Sequence, residues 1–465
     1  VDYSEDVSSK DLIQAAGEGF DSIELMKRYT TVTMGPGQGK LETVNAAAVL
    51  AEAMAVEMAD IGTTVWRPPF SPVSLGALAG RIFEPVRRSA LQDWHEANGA
   101  TNLLAGQWVR PDHYGDPMAE ASNVRENVGL IDVTPLGKLD LRGPDVANLL
   151  DLVYVNRWQK LEVGRVRYGA MVAEDGVVSD DGVTGRLAED HYLMTTTSSG
   201  AGAVWEMLED WLQTYRPDWE VHVTPVTGGL TSINVAGPRS RELLERLVDN
   251  VDLSADAFPY FSVRTGIVAG VADCIIWRIG FTGELSYEVH VPSGHALHVW
   301  ESLLSNGSDL GVAPFGIEAQ RILRLEKGHY IVGQDTDGLS KAPTAGLDGL
   351  VRLDKADTIG LPELRAAFER TDLPVLVGLQ PDDPTIVPDE ACQIVEAGSN
   401  QILGRVTSSR MSPTLERSIC LAQVDPSLAA AGTSVTVQLV DGRRITATVQ
   451  EHHAHVDPEG ARQRV

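Results

Sequence analysis

The pattern of predicted helices and strands changes twice along the chain, and these two changes constrain the fold more than any other feature of the sequence. Residues 1 to about 60 read as helical, because Ser8-Ser-Lys-Asp-Leu12 offers helix caps and the segment from Val44 to Met58 is rich in Ala, Val, Leu and Met. From Asn123 onward, short β segments alternate with amphipathic helices, which is an α+β pattern. After about Thr371 the helices stop, and apolar strand runs spaced by Gly, Asp, Asn and Pro predict a separate small β-barrel.

The predicted domain boundaries follow these changes. A chain of 465 residues is long enough for two to four domains, each with its own core. We expect a small helical domain over residues 1–60, a proline-rich linker over 61–95, a mixed region of two subdomains over 96–370 and a C-terminal β-barrel over 371–465. The linker assignment depends on prolines, which remove backbone donors and fix φ.

The charge balance and the cysteines exclude several classes of partner and site. The chain has 38 basic and 65 acidic residues, a net charge of −27, which opposes binding to nucleic acid or to an anionic membrane. It contains no apolar run near the ~18 residues of a membrane span and no signal segment. Because Cys274, Cys392 and Cys420 lie far apart without ligand spacing, we expect neither disulfides nor a zinc site. A cytoplasmic protein fits best.

Two segments are similar to ligand-binding motifs but lack part of the pattern. Met34-Gly-Pro-Gly-Gln-Gly-Lys40 has methionine where a phosphate-binding loop needs its first glycine, so a plain loop is favoured. Glu451-His-His-Ala-His455 would place His453 and His455 on one strand face, but no third metal ligand is identifiable. A surface tail is expected there, and no metal site.

Several motifs follow one another between residues 124 and 415. They are Val124-Arg-Glu-Asn-Val-Gly-Leu-Ile-Asp-Val-Thr134, Tyr168 before Asp180-Asp181, Ile233-Asn-Val-Ala-Gly-Pro238, Gly280-Phe-Thr-Gly-Glu-Leu-Ser-Tyr-Glu288, Leu323-Arg-Leu-Glu326 and Val406-Thr-Ser-Ser-Arg-Met-Ser-Pro-Thr-Leu415. Together they resemble the aminomethyltransferase (T-protein) family of the glycine cleavage system. Lys27-Arg-Tyr-Thr-Thr31, Glu326-Lys-Gly328 and Ile331-Val-Gly-Gln-Asp-Thr-Asp337 resemble, more closely, the C-terminal half of the α subunit of heterotetrameric sarcosine oxidase. The resemblance implies a T-protein-like multidomain folate-binding fold, with residues 96–370 as its folate-binding region.

The resemblance also implies which cofactors this chain should lack. In the sarcosine oxidase α subunit a dinucleotide-binding region precedes the part seen here, and no Gly-rich fingerprint of that kind occurs, so no flavin is expected in this chain. The first 45 residues resemble a helical domain that binds an iron–sulfur cluster in more distant relatives. Since no cysteine precedes Cys274, no such cluster is expected. A flavoprotein subunit that oxidises the amine is the implied partner.

The resemblance assigns the reactive carboxylate to Asp180, the first acidic residue of Gly176-Val-Val-Ser-Asp-Asp181. A carboxylate beside N10 of a folate can orient the amine and shuttle a proton while the carbon is captured. Asp181 is expected to be structural. Without the resemblance, the segment reads as an acidic turn in which Asp side chains bond backbone amides.

The remaining predicted contacts surround the folate. Tyr168 and Leu136 match positions that line the family's pocket, although each could be ordinary core. Phe281 would pack on the folate, where T-proteins often have tyrosine. Glu288 would accept hydrogen bonds from the amino-pyrimidine edge of the pterin, the alternative being a solvated strand face.

Two further expectations concern charge around the ligand. T-proteins have an arginine at the position of Gln320, four residues before Arg324. Because this chain lacks that arginine, it is left open whether Gln320 and Arg324 contact the pterin. Arg165 and Arg167 are candidates for attracting an anionic polyglutamyl folate, with a solvated strand face as the alternative.

These features predict tetrahydrofolate-dependent one-carbon transfer. The chain would capture an iminium or formaldehyde-level carbon from a sarcosine-like N-methyl amine, giving 5,10-methylene-tetrahydrofolate, as a subunit of a sarcosine oxidase-like complex. One alternative is a self-sufficient tetrahydrofolate-dependent demethylase or aminomethyltransferase. A second is a folate-binding protein without catalysis.

Overall fold

The computed structural model describes residues 2–66, 70–71, 73–79 and 86–465. The chain divides into two compact units, residues 1–84 and 85–465. The prolines at 68, 69 and 72, on which the linker prediction depends, lie outside the described residues.

The first unit is helical, as the sequence predicts. Its helices are α1 (Ser9–Gly17), α2 (Ile23–Thr30), α3 (Glu42–Met54), α4 (Met58–Ile61) and α5 (Leu75–Leu78). The helix α1 begins with a capping box in which the Asp11 carboxylate accepts a hydrogen bond from the backbone N–H of Ser8 at 2.8 Å. Leu12, Met26 and Leu50 are fully buried in its small core. Residues 34–40 form turns between α2 and α3, in agreement with a plain loop.

The second unit begins with a helix and a hairpin and contains a seven-stranded sheet. Its first elements are α6 (Gln92–Ala97), β1 (Thr101–Ala105), β2 (Trp108–His113), α7 (Pro117–Glu126) and β3 (Val128–Asp132). The larger sheet has the order β10-β11-β12-β13-β9-β3-β14. Its other members and covering helices are β9 (Leu230–Ala236), α10 (Ser240–Glu245), β10 (Val248–Asp249), β11 (Ser262–Val268), β12 (Val271–Arg278), β13 (Ser286–Pro292), α11 (Ala296–Asn306), β14 (Val312–Pro314) and α12 (Ile317–Lys327).

A five-stranded antiparallel sheet, here called the second sheet, has the order β5-β6-β7-β4-β8. Its elements are β4 (Gly137–Arg142), α8 (Val146–Val153), β5 (Val166–Val172), β6 (Val178–Ala188), β7 (His191–Thr196), α9 (Ala201–Asp210) and β8 (His222–Pro225). One face of this sheet is covered by α8 and α9 through a core that includes Leu149, Met194 and Leu208. α9 continues as a π-helical turn from Trp211 to Tyr215.

The third part of this unit is a closed barrel, as the strand runs predict. After α13 (Leu361–Glu369), six strands close in the order β15-β18-β17-β16-β19-β20. They are β15 (Val375–Pro381), β16 (Gln393–Val395), β17 (Ile402–Ser412), β18 (Arg417–Val424), β19 (Ser434–Gln438) and β20 (Arg444–Val449). The α+β class with a terminal barrel is therefore confirmed. The expectation that helices stop at Thr371 is wrong at one place, since α14 (Ala461–Arg464) follows the barrel.

The larger and second sheets pack against each other through their inner faces. Val166 and Leu193 of the second sheet share an apolar cluster with Val263, Trp277 and Ile279 of the larger sheet and its following loop. Strands alternate their side chains between two faces, so residues in step with these positions also point into the space between the sheets. Among the described residues, no helix is both long and apolar enough to span a bilayer.

Candidate active site

The two neighbouring carboxylates of β6 point to opposite faces of the second sheet. Asp180 lies across from Met171, which packs in the core beneath the helices, whereas Asp181 lies across from Ala170 and in step with Val183. Asp181 therefore faces the larger sheet. A register shift between β5 and β6 immediately precedes this pair, so the sequence alternation does not fix which carboxylate faces which way.

The Asp180 carboxylate is buried and fully engaged. It accepts hydrogen bonds from the backbone N–H groups of Asp181 at 2.7 Å and Thr197 at 3.0 Å, and from the Thr197 hydroxyl at 2.8 Å. Thr197 in turn accepts from the backbone N–H of Gly200, just before α9. Burial raises the pKa of Asp180, while the bonds from Thr197 oppose that shift. These contacts tie β6 to the start of α9.

The Asp181 carboxyl group belongs to a chain of hydroxyl groups. The Tyr168 hydroxyl donates to it at 2.8 Å, and the Tyr168 and Tyr330 hydroxyl oxygens lie 2.5 Å apart. Burial raises the pKa of Asp181 to about 7, with a smaller contribution from the negative charge of Asp180. A carboxyl group with this pKa is present in both its ionised and its protonated form near neutral pH.

A turn after α12 brings Tyr330 to this place. Gly328 ends the helix with φ of +76°, and a side chain there would meet the backbone of His453 and Ala454 at 2.4 to 2.7 Å. The turn aims His329 and Tyr330 in different directions. His329 stacks on Phe281 with ring centroids 5.4 Å apart, while Tyr330 meets Tyr168.

On the larger sheet, a polar strip interrupts the apolar inner face. Glu288 and His290 of β13 lie two residues apart on one face, and their Oε1 and Nε2 atoms are 3.4 Å apart. The His290 Nδ1 atom pairs with the Ser232 hydroxyl at 2.8 Å. Among the described residues, neither Glu288 Oε1 nor His290 Nε2 has a hydrogen-bond partner. Two buried polar atoms without partners indicate a place for a ligand, because leaving them unsatisfied is costly.

Lys138 places a positive charge beside this strip. Its ammonium group is fully buried and donates to the carbonyl oxygens of Thr134 at 2.8 Å and Leu136 at 3.0 Å. Burial raises the pKa of Glu288 to about 7, and the charge of Lys138 opposes that shift. The same environment lowers the pKa of His290 to about 3, so this imidazole is neutral. Lys138 thus holds the turn that carries Leu136 and favours the ionised form of Glu288.

The structure gives Arg324 and Gln320 different surroundings from those of Glu288. Arg324 is 1% exposed, and its guanidinium donates to Asp335 at 2.6 Å, to the Ser408 hydroxyl at 2.6 Å and to the His329 carbonyl at 3.0 Å. These bonds fix the turn before Tyr330. Gln320 is half-buried one helical turn earlier. A folate contact at these two residues stays a prediction.

Four of the motifs in the sequence meet in one buried network. The Arg125 guanidinium donates to Glu326 at 2.6 and 2.8 Å and to Glu284 at 2.9 Å. The Ser412 hydroxyl donates to the other oxygen of Glu326 at 2.5 Å. This network joins α7, the loop before β13, α12 and β17. The motif residues Arg125, Glu284 and Glu326 are thereby assigned to holding the site together.

Two further predicted features take other positions. Arg167 lies next to Tyr168 on β5, so its side chain points to the opposite face of the sheet, and its guanidinium lies 5.8 Å from the Trp158 ring. His453 and His455 each pair through Nε2 with a backbone carbonyl oxygen, of Leu376 at 2.8 Å and Cys420 at 3.0 Å. The expected surface tail is thus wrong for these histidines, which pack on the barrel. Within the described residues, no group of three His, Cys, Asp or Glu side chains could hold a metal.

Sequence reasoning missed Tyr330, Lys138 and His290. Tyr330 lies two residues after the Glu326-Lys-Gly328 motif, and Gly328 was the signal for a turn there. His290 was detectable as the residue two positions after Glu288 on a strand. Lys138 gave no sequence signal of its buried position, because lysine in a strand is ordinarily solvated.

Known protein families match most of the chain. The model of the GCVT N-terminal domain matches residues 91–355, and that of the glycine cleavage T-protein C-terminal barrel domain matches residues 375–454. An aminomethyltransferase from Symbiobacterium thermophilum is 32% identical over 372 residues, covering 79% of this chain and 97% of that protein. The chain belongs to the glycine cleavage T-protein family. The sarcosine oxidase A3 domain model matches residues 1–81, next to the T-protein part.

Within the T-protein family, the chain is similar to larger proteins. The sarcosine oxidase α subunit of Corynebacterium sp. (strain P-1) is 39% identical over 482 residues, covering 99% of this chain and 50% of that protein. The same subunit of Rhizobium meliloti is 39% identical over 443 residues, covering 91% of this chain and 45% of that protein. The chain thus spans about half the length of these relatives.

A solved T-protein structure has the same fold. The crystal structure of glycine cleavage system aminomethyltransferase T from Bartonella henselae superimposes with a TM-score of 0.72 and 23% identity, covering 82% of this chain and 99% of that one. The predicted T-protein-like fold is therefore confirmed.

Proposed function

We propose that this chain carries out tetrahydrofolate-dependent one-carbon transfer, with Asp181 as the residue that exchanges the proton. The observation that carries the proposal is the position of Asp181. Its carboxyl group faces the larger sheet, bonds to Tyr168 and has a pKa of about 7. The T-protein family membership supports the reaction class.

The donor and acceptor groups on the larger sheet fit a reduced pterin. The amino-pyrimidine edge of a pterin carries N–H donors next to ring acceptors, and Glu288 Oε1 offers an acceptor while the neutral His290 can donate or accept through Nε2. Phe281, held by its stack on His329, supplies an apolar surface for a flat ring. Leu136, partly buried on the turn held by Lys138, supplies another.

We assign the proton exchange to Asp181, whereas the family resemblance of the sequence assigns the reactive carboxylate to Asp180. Asp180 accepts hydrogen bonds from two backbone N–H groups and one hydroxyl, which leaves it little capacity to act on a ligand. Asp181 accepts one hydrogen bond from a side chain and lies on the face that carries Tyr168. Catalytic groups need a pKa near the working pH, which the pKa of Asp181, about 7, satisfies.

Bound tetrahydrofolate would supply the two nitrogens that capture the carbon of an iminium. Each of these nitrogens loses a proton overall, and the released amine gains two, so that atoms and charge balance. Asp181 as a carboxylate accepts a proton, and as a neutral acid it returns a proton to the departing amine. The Tyr168 hydroxyl holds the carboxyl group in place while its charge changes.

The carbon would come from an N-methyl amine oxidised by a flavoprotein subunit. The likeness to sarcosine oxidase α subunits supports this source, as does the match to their A3 domain over residues 1–81. A sarcosine-like amine would then yield 5,10-methylene-tetrahydrofolate and the demethylated amine. The chain would act as part of a complex.

The test compares two isosteric variants in the assembled complex. Asp181→Asn should lower the rate of methylene-tetrahydrofolate formation from a methylated amine by about 100-fold or more, the usual contribution of a general acid–base group. Binding of tetrahydrofolate should change less than about threefold. Asp180→Asn should lower thermal stability and keep most of the rate. The proposal would be refuted if Asp181→Asn kept the full rate, or if the wild-type complex did not bind tetrahydrofolate.

A further inference from the structure

Tyr330 occupies the point where three parts of the second unit meet. It packs against one apolar cluster that includes Ala170 and Val172 of the second sheet, and against another that includes Leu325 of α12 and Leu376 and Leu421 of the barrel. Its hydroxyl lies 2.5 Å from that of Tyr168. Neither the proton exchange at Asp181 nor the positioning by Tyr168 involves this second phenol.

The number of protons on the three groups fixes the direction of their hydrogen bonds. Each tyrosine hydroxyl has one proton to donate, and ionised Asp181 has none. Since Tyr168 donates its proton to Asp181, the bond between the two phenols must be donated by Tyr330. When Asp181 is protonated it can donate to Tyr168, which then donates to Tyr330. The direction of the whole chain therefore follows the charge of Asp181.

We infer that Tyr330 is a positioning residue that orients Tyr168 toward ionised Asp181 and extends its proton path by one hydroxyl group. The inference rests on the role proposed for Asp181. In the ionised state Tyr330 donates inward to Tyr168, and in the protonated state its own proton is free to be donated outward. A hydrogen-bonded chain of this kind polarises along its length, so the loss of one member weakens the others.

The charged and titratable groups around this chain of hydroxyl groups keep both phenols in the neutral form. Burial and the charge of Asp181 raise the pKa of both Tyr168 and Tyr330 well above the usual value, so the phenols stay neutral. Asp180 adds a negative charge that acts on Asp181 and Tyr330. His329, next to Tyr330, pairs its Nδ1 with the Phe281 carbonyl at 3.1 Å, and burial lowers its pKa to about 4, so it is neutral. The hydrogen bonds donated by the phenols are thus the main stabilisation of the Asp181 carboxylate.

The test is the pH dependence of methylene-tetrahydrofolate formation in the assembled complex with Tyr330→Phe. Loss of the hydroxyl should move the half-maximal pH upward by about half a unit to one unit and lower the rate at pH 7 by about 2- to 6-fold, because the Asp181 carboxylate is less stabilised. The KM for tetrahydrofolate should stay within about twofold. Tyr154→Phe is the matched control, because this buried phenol pairs with the Thr184 hydroxyl at 3.2 Å on the helix-covered face. The control variant should change neither the half-maximal pH nor the rate at pH 7.

The outcomes separate this inference from the proposed function. If Asp181→Asn loses the rate and Tyr330→Phe keeps both the wild-type rate and the wild-type half-maximal pH, the inference about Tyr330 is overturned and the role of Asp181 stands. If Asp181→Asn is fully active, the proposed function fails first. Should Tyr330→Phe not assemble, fluorotyrosine incorporated at position 330 decides, because it keeps the ring and makes the hydroxyl a stronger donor to Tyr168. A lower half-maximal pH supports the inference, and an unchanged half-maximal pH overturns it.

Discussion

Two buried polar networks lie on either side of the turn after α12, and they differ in how completely their charges are paired. On one side Arg324 pairs with Asp335, whose other carboxylate oxygen accepts from the hydroxyls of Thr407 and Ser408, each at 2.6 Å. On the other side, within the part of the chain that the structure describes, Asp181 accepts from the Tyr168 phenol and has no cationic partner, and Glu288 has an oxygen without a hydrogen-bond partner. Arg324 and Asp335 are fully buried, Glu288 is buried and Asp181 is half-buried, and only the first two have their charges paired with each other.

The difference separates groups that hold the fold from groups that are available to a ligand. A buried ion pair with every oxygen satisfied has a fixed charge and cannot readily exchange a proton. A carboxyl group that is desolvated without a cation has its pKa raised toward neutrality, which is the condition for proton transfer. We therefore propose that Asp335 holds the fold and that Asp181 and Glu288 are available to a ligand. Asp180 also lacks a cation, and we propose a structural role for it because it accepts three hydrogen bonds.

The largest effect is expected from breaking the paired network. Asp335→Asn leaves the Arg324 guanidinium buried without its counter-charge and should destabilise the second unit by about 3–5 kcal/mol. Denaturant unfolding of the chain measures this change. The exposed pair of Arg370 and Asp372 provides the control, and Asp372→Asn should leave the unfolding midpoint nearly unchanged because solvent screens this pair. Equal costs for the two variants would contradict the comparison.

A smaller effect, on binding, is expected at the unpaired carboxylate of the larger sheet. Glu288→Gln replaces an acceptor by a group that also donates, and it should weaken tetrahydrofolate binding by about 10- to 100-fold, as for a hydrogen bond to a charged group. Titration calorimetry at pH 8, above the Glu288 pKa of about 7, measures the loss. Asp140→Asn on β4, whose carboxylate pairs with Arg142 at 2.7 Å, is a control that should bind normally.

The same variant has a stability signature with a definite sign. The pKa of Glu288 in the folded chain is about 7, above its usual value of 4.5, so the folded state binds the proton more tightly. This contribution to stability is present below pH 4.5 and is lost as the pH rises to about 7. The stability of the wild type relative to Glu288→Gln should therefore fall across this range. A difference that does not change with pH would show that Glu288 keeps an ordinary pKa.

The smallest effect concerns the lysine that favours the ionised form of Glu288. Lys138→Met removes the nearby positive charge, so the pKa of Glu288 should rise further and folate binding at pH 7 should weaken several-fold, with partial recovery at pH 8.5. Lys355 is the matched control, because it too is buried, has a pKa lowered to about 8 and donates to backbone carbonyls, those of Tyr154 and Asn156 among them. Lys355→Met should lower stability without a pH-dependent change in affinity.

Patterns of period and composition could predict the fold class and part of the candidate site. The apolar strand runs after Thr371 become strands of the barrel, β15 and β20 among them, because alternating apolar residues fill a barrel. The run from 402 to 412 went unpredicted as a strand, since it is rich in Ser and Thr. The hydroxyls of Thr407 and Ser408 are buried because they donate to Asp335, and a contact so distant in sequence leaves no local pattern.

The choice between Asp180 and Asp181 could not be made from the sequence. A strand presents alternate residues to opposite faces, and a shift of one residue exchanges them. The register irregularity beside Val178 makes such a shift at this place. The positions of Tyr330 and Lys138 in the site could not be predicted from the sequence either. Each lies on an element that only tertiary packing brings to the site, Tyr330 on the turn after α12 and Lys138 on β4.

The most direct test of the central claim is the pH dependence of methylene-tetrahydrofolate formation by the assembled complex in three forms: wild type, Asp180→Asn and Asp181→Asn. Because the Asp181 pKa is about 7, the wild-type rate should rise with pH to a plateau and be half-maximal near pH 7. Asp180→Asn should keep that profile, and Asp181→Asn should show a low rate without an inflection near pH 7. The claim is contradicted if Asp181→Asn keeps the inflection and Asp180→Asn loses it.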